Sequence, residues 1–216
     1  MGTNERRDRE KQKRRQDIVE VSRKLFFEKG FRDTTVDDIA RCTELARGTI
    51  YLYFENKEEV YATVMEEGLD LLNKHVIDSY DPNTDPLTNL LAGHDAFIEF
   101  HDNYPEYYNV MTMDKMQIMS VLPIEIKKRL DDKFINIVKW VARVLSEGIE
   151  EGIFRAMSAH DVAVMQIGIA MGYAQMLDKC GQNSAWPIDR SSSREVMHDI
   201  IANGVLSRPR MNSIQE

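Results

Sequence analysis

Arg47-Gly48-Thr49-Ile50-Tyr51, followed by Tyr53 and Lys57, gathers hydrogen-bond donors around a glycine within eleven residues. Arginine can donate to guanine edges, and threonine can meet a thymine methyl or a phosphate. The hydroxyls of Tyr51 and Tyr53 suit phosphate oxygens while their rings pack. Gly48 carries no side chain, so its segment can lie close to DNA or to a neighbouring helix. Lys57 adds a point charge where the amides of a helix start already favour an anion. Each tyrosine taken alone is more often a packing residue, and Phe54 reads as core. All of them at this spacing point to the major groove of DNA.

The elements that must present these groups are helical. A first helix is expected from Arg9 to Lys29, with Ile18, Val21, Leu25 and Phe26 as its apolar stripe and Gly30 as its stop. Thr35 caps a second helix, with Asp38 completing a capping-box pair. The chain turns at Thr43-Glu44-Leu45, and Ala46 to Tyr51 forms the third helix. Asn56 caps a fourth, which continues past Val60, Val64 and Leu72 toward Tyr80.

Charge supports a polyanionic partner at one end only. The net charge is −8. It divides into +3 over residues 1–57 and −11 over the remainder. Arg6, Arg7, Arg9, Lys11, Lys13, Arg14 and Arg15 form a basic arm. The asymmetry directs the N-terminal end toward DNA and keeps the acidic body away from it.

Thr35, Ile39, Ala40, Gly48-Thr49-Ile50-Tyr51, Tyr53-Phe54 and Lys57-Glu58-Glu59-Val60 together resemble the helix-turn-helix of the tetracycline-repressor (TetR) family of bacterial transcription regulators. The likeness is dense over about 50 residues and only architectural beyond them. It implies DNA contacts at Thr35, Thr49, Tyr51, Tyr53 and Lys57; Arg47 and Gly48 join them on the chemistry above. One departure stands out. The family's turn usually holds Ala-Gly, where this chain has Thr43-Glu44.

The expected fold is all-α: residues 1–57 as a three-helix DNA-binding domain with its basic arm, and 58–216 as a helical effector-binding and dimerisation domain. Helix signals continue along the second part, broken by the Asp81–Pro86 loop. Asp161 to Cys180 is the most apolar segment, and a last helix is expected with Ser192 and Glu195 as its capping box. Small and flexible residues there (Met165, Gly168, Ile169, Gly172, Met176), with Val196 and Ile200 of the last helix, suit close approach of a second copy. The resemblance implies a four-helix dimer bundle built from these two helices.

The resemblance also implies a small-molecule pocket. Its lining candidates are Phe97, Phe100, His101, Tyr104, Tyr108, Met111, Met116, Met119, Trp140 and Tyr173, an apolar set suited to a hydrophobic effector. No cofactor or catalytic residue is expected. The five histidines lack metal-ligand spacing, and there is no CxxC pair, P-loop or nucleophile elbow. Glu195-x-x-His198 matches half of a di-iron motif, and a single copy reads as chance. Cys42 and Cys180 suit a reducing cytoplasm without disulfides, and Cys42 reads as a small buried hydrophobe. The motif, the charge asymmetry and the resemblance together imply a cytoplasmic, dimeric, ligand-responsive repressor. The alternatives are a small-molecule-binding or di-iron-type bundle with a vestigial helix-turn-helix, or a DNA-organising protein without effector.

Overall fold

The structure is a computed structural model that describes residues 3–112, 115–180 and 185–207, and only the backbone of residues 3, 4 and 115–117. Met116, an expected pocket residue, thus has its side chain outside the described residues. The elements are α1 (Thr3–Asp33), α2 (Val36–Cys42), α3 (Arg47–Ile50), α4 (Lys57–Asp78), α5 (Pro86–Asn103), α6 (Pro105–Thr112), α7 (Lys115–Val121), α8 (Ile124–Glu150), α9 (Ala159–Lys179) and α10 (Arg190–Val205). Among the described residues the only β pairing is an isolated bridge between Phe154 and Leu206, so the fold is all-α. No described helix is long and apolar enough to cross a membrane.

The chain forms two compact units, Met1–Leu71 with Tyr104–Phe134, and Leu72–Asn103 with Ile135–Glu216. The functional boundary expected after residue 57 lies inside the first unit.

In the first unit α1 begins at Thr3, six residues before the expected start. Its opening turns are rich in Glu, Arg, Lys and Gln, all good helix formers, and Arg6 pairs with Glu10 one turn on at 2.9 Å. Gly30 breaks the helix as expected, at φ 78° and ψ 171°, a conformation glycine adopts without steric cost. Phe31 is thereby turned into the core. Its ring and that of Phe26 both meet Tyr61 edge-on at 4.9 Å. Ile18, Val19, Ile39, Ile50, Phe54, Val60 and Val64 are buried with them. Arg23 ties α1 to α4 and α6 through Glu67 at 3.1 Å and the Tyr107 hydroxyl at 3.2 Å.

In the second unit α5 packs against α9 and α10. α5 buries Leu90, Phe97 and Phe100, and α9 buries Ala163, Ile167, Ala170, Tyr173, Ala174 and Leu177. Gly93 is where the Trp140 ring crosses α5: a Cβ there would lie 2.4 Å from two ring carbons. Buried Asn89 holds the loop before α5, accepting from the Asp81 amide at 2.8 Å and donating to the Asp81 carbonyl at 2.9 Å. Two helix starts differ from expectation. α9 begins at Ala159, capped by Ser158, which accepts from the Asp161 amide. α10 begins at Arg190, capped by Asp189 rather than Ser192. The Asp189 carboxylate accepts from the Ser192 amide at 2.8 Å, and an ionised acceptor makes the stronger cap bond.

Candidate nucleic-acid interface and ligand sites

The helix-turn-helix is assembled by side chains that satisfy the loose ends of short helices. Thr34 is fully buried, and its hydroxyl donates to the Gly30 carbonyl at 2.8 Å. Thr35 and Asp38 form the complete capping box of α2. The hydroxyl of Thr35 is thus engaged in the cap, although the residue itself is exposed. α2 then ends in the unusual turn. Glu44 is the one non-glycine residue among the described residues with positive φ, at 55°. That conformation costs about 1 kcal/mol for a residue with a Cβ. Backbone bonds from Glu44 to the Arg41 carbonyl (3.2 Å) and from Leu45 to the Ala40 carbonyl (2.9 Å) hold it.

α3 is shorter than expected. Ala46 is extended and supplies no capping side chain, so regular helix starts only at Arg47. Beyond Ile50 the amides of Leu52 and Phe54 still bond back to Thr49 and Ile50 at 3.2 and 3.1 Å, which carries the turn on to Phe54. Ile50 and Phe54 are sunk in the core. They anchor a segment on which Arg47, Gly48 and Tyr51 are exposed, and Thr49 and Tyr53 half-buried. A Cβ on Gly48 would meet nothing within 4 Å, so packing inside the chain does not account for this glycine. Arg47 is held by Asp37 at 3.2 Å and the Tyr51 hydroxyl at 3.3 Å.

The early start of α1 has a consequence for this surface. Arg7, Lys11 and Arg14 fall at helical spacing on one face. With Asp8, Glu10, Thr49 and Tyr53 they line an open cleft of about 470 Å³. The sequence revealed the basic arm, but the helix register selects which bases converge on the α3 segment. Arg15 is directed elsewhere, over the Phe54 ring at 4.6 Å and to Thr63 at 3.3 Å.

Lys57 sits differently from a free surface lysine. Its ammonium donates to the carbonyls of Phe31 (2.6 Å) and Thr34 (2.8 Å) and lies 4.1 Å from the Phe31 ring centroid. Desolvation pushes its pKa below the usual lysine value, opposed by Glu58 and Asp33. Cys42 is exposed, contrary to the expected small buried hydrophobe, because it ends α2 beside the solvated turn.

In the second unit the expected interface residues are open. Met165, Gly168, Gly172, Met176, Val196 and Ile200 are exposed and Ile169 half-buried, so this apolar face is not consumed within the chain. Gly168 and Gly172 have open space where a Cβ would stand. Gly172, Tyr173, Met176, Val196 and Ile200 share an apolar open cleft of about 500 Å³ with Asp189 and Ser192.

The expected effector residues fall in both compact units. Phe97, Phe100, His101, Trp140 and Tyr173 belong to the second unit, and Tyr104, Tyr108, Met111 and Met119 to the first. Phe97, Phe100, Tyr108, Met111, Trp140 and Tyr173 are buried. His101 is buried in a polar network, its ring nitrogens 2.9 Å from Asp102 and 2.9 Å from Asp178.

One cluster was invisible in the sequence. His94, Asp95 and His198 bring a potential ligand atom each to within 4.8 Å of one another. Asp95 and His198 are 103 residues apart, so no local spacing could announce them. The His198 Nε2 lies 2.8 Å from Asp95 Oδ1, and Arg194 binds both Asp95 oxygens, at 2.8 and 2.6 Å. His94 is buried, its ring stacked on Tyr173 at 6.3 Å, and neither ring nitrogen has a partner. Desolvation lowers its pKa from 6.5 to about 4; Asp95 opposes this, while His198 and Arg194 add to it.

The unfolded chain therefore takes up this proton more readily than the folded one. The contribution of His94 to stability should be fully present above pH 6.5 and be lost as the pH drops toward 4. The expected loss is roughly 3 kcal/mol. Urea unfolding across this range, with chelator present, measures it. His94→Phe should abolish this part of the pH dependence, and an unchanged pH profile in the variant would refute the assignment.

Similarity to known proteins agrees with this geometry. The family model described as bacterial regulatory proteins, tetR family, matches residues 18–64. The transcriptional repressor KstR2 of Mycobacterium tuberculosis is 32% identical over 150 residues, covering 66% of this chain and 70% of the repressor. Among solved structures, a tetR-family regulatory protein from Rhodococcus RHA1 aligns with TM-score 0.71 at 16% identity, covering 91% of this chain and 99% of its own. AibR in complex with isovaleryl coenzyme A and operator DNA aligns with TM-score 0.65 at 17% identity, covering 89% and 98%. With its helix-turn-helix inside the matched segment and an all-α body of the same fold behind it, the chain belongs to the tetR family of DNA-binding transcriptional regulators.

Proposed function

We propose that the chain is a homodimeric transcriptional repressor, not an enzyme, that binds an operator through two copies of the α2–α3 segment and releases it when a small, largely apolar effector binds. The observation that carries this reading is the exposed Arg47-Gly48-Thr49 segment, pinned from beneath by Ile50 and Phe54 and flanked by Arg7, Lys11 and Arg14. Arg47 and Thr49 are the candidates to read bases. Thr35, Tyr51, Tyr53 and Lys57 position the head on phosphates, and Gly48 lets it come close. Lys57 keeps one N–H for a phosphate after donating to two carbonyls. A two-fold dimer places two such heads on successive major-groove faces.

The open apolar face of α9 and α10, with Met165, Gly168, Ile169, Gly172, Met176, Val196 and Ile200, supports dimerisation there. The buried aromatic and methionine side chains support an apolar effector. AibR, bound to an acyl coenzyme A and its operator, supports the same pairing of ligands. Effector binding acts by favouring a dimer state with lower operator affinity, a coupling between two sites. Such a regulator works in the cytoplasm.

Selection from random duplexes followed by binding at graded salt tests the reading. A dimer meeting about ten phosphates should give a log–log salt slope near −9. Failure to enrich any duplex, or salt-independent binding, would overturn it.

A further inference from the structure

We propose that His94, Asp95 and His198 form a binding site for a divalent first-row transition metal ion, with Zn²⁺ as its type, joining α5 to α10. The donor set is two imidazoles and one carboxylate, a combination that zinc, nickel, cobalt and ferrous iron all accept with positions left open. Their ligand atoms lie within 4.8 Å of one another. Two ligands about 2.0–2.2 Å from one ion stand about 3–3.5 Å apart when cis. The 2.8 Å separation of His198 Nε2 and Asp95 Oδ1 is close to that spacing, so sub-ångström movements admit an ion.

The decisive observation is His94. It is 8% exposed, its ring is fixed by stacking on Tyr173, and both of its nitrogens lack a hydrogen-bond partner. Buried polar atoms are nearly always satisfied, and an unsatisfied one calls for an absent water or ion. An ion at the shared point satisfies one nitrogen of His94 and replaces the hydrogen bond between His198 and Asp95 with two coordinate bonds.

Arg194 is the opposing charge. It binds both Asp95 oxygens, and its cation disfavours a second one nearby. Glu99, one turn beyond Asp95, already lies 4.0 Å from the same guanidinium and can take it when Asp95 turns to the ion. Glu195, the other half of the Glu-x-x-His match, is not among the three ligands.

The test uses the full chain, stripped with chelator and with its accessible thiol alkylated, titrated with Co²⁺ and Zn²⁺. One equivalent should bind, and cobalt should show the visible absorption of nitrogen and oxygen ligation. His94→Phe keeps an aromatic ring against Tyr173 and removes both nitrogens. It and His198→Ala should each weaken affinity at least a hundredfold, and Asp95→Asn at least tenfold. Uptake below one-tenth equivalent at about 100 µM free ion, a millimolar-range affinity at best, overturns the proposal. Equal affinity in wild type and His198→Ala does so as well, by placing the ion elsewhere. His198 is half-buried, so that variant decides the question even if His94→Phe does not fold.

Discussion

Ile200→Glu should leave a folded monomer with at least a hundredfold lower operator affinity. Ile200 is 53% exposed in the single chain, so glutamate costs the isolated fold little. In a two-fold dimer the same substitution appears twice across one self-complementary patch. Each carboxylate would then enter an apolar interface without a partner, which costs several kcal/mol. Losing the dimer removes half of the phosphate contacts and the geometric coupling of the two heads. A hundredfold loss corresponds to about 2.7 kcal/mol, well within that cost. Sedimentation equilibrium and operator titration on one preparation provide the readout. A variant that remains dimeric with full affinity would move the interface away from α9 and α10.

Lys57→Ala should cost both stability and DNA binding. The ammonium joins the Phe31 carbonyl near the end of α1 to the Thr34 carbonyl just before α2 while resting on the Phe31 ring. Charged hydrogen bonds of this kind contribute about 1.5–3 kcal/mol net, and the cation–π contact adds about 0.5–1 kcal/mol. A loss of about 2–4 kcal/mol should lower Tm by roughly 5–15 °C in a chain of this length. Operator affinity should fall about equally for all sequences, because the head loses its positioning rather than a base contact. Tyr53→Phe is the contrasting variant: Tm unchanged, operator affinity reduced. If Lys57→Ala melts like the wild type, the lysine is a phosphate ligand alone and its bonds to Phe31 and Thr34 contribute nothing.

The local grammar of the head was legible because short helices announce themselves through caps and glycines. Gly30, Thr35 with Asp38, and Asn56 all act within a few residues, and each is found in its expected role, while the turn falls at Glu44 where it was expected. The all-α fold followed from the same signals, since nothing competes with helical periodicity along the chain. The cap of α10 at Asp189 was missed because several residues of Asp189–Glu195 can serve, and only geometry selects one. The carbonyl partners of Lys57 lie 23 and 26 residues away, and motif spacing carries no trace of them. The same holds for His94, Asp95 and His198, which meet only because α5 packs against α10. Burial of Cys42 was misjudged because a residue's type says less about exposure at a helix end than in its middle.

The exposure of Cys42 has a practical side. Cys180 is buried, so in the folded chain a thiol-reactive dye finds one ready target, and that target stands at the end of α2, just before the Glu44 turn. The natural sequence thus already carries a single-colour labelling handle. Fluorescence anisotropy on that label would follow docking and effector-driven release in real time, without engineering a new residue into the head.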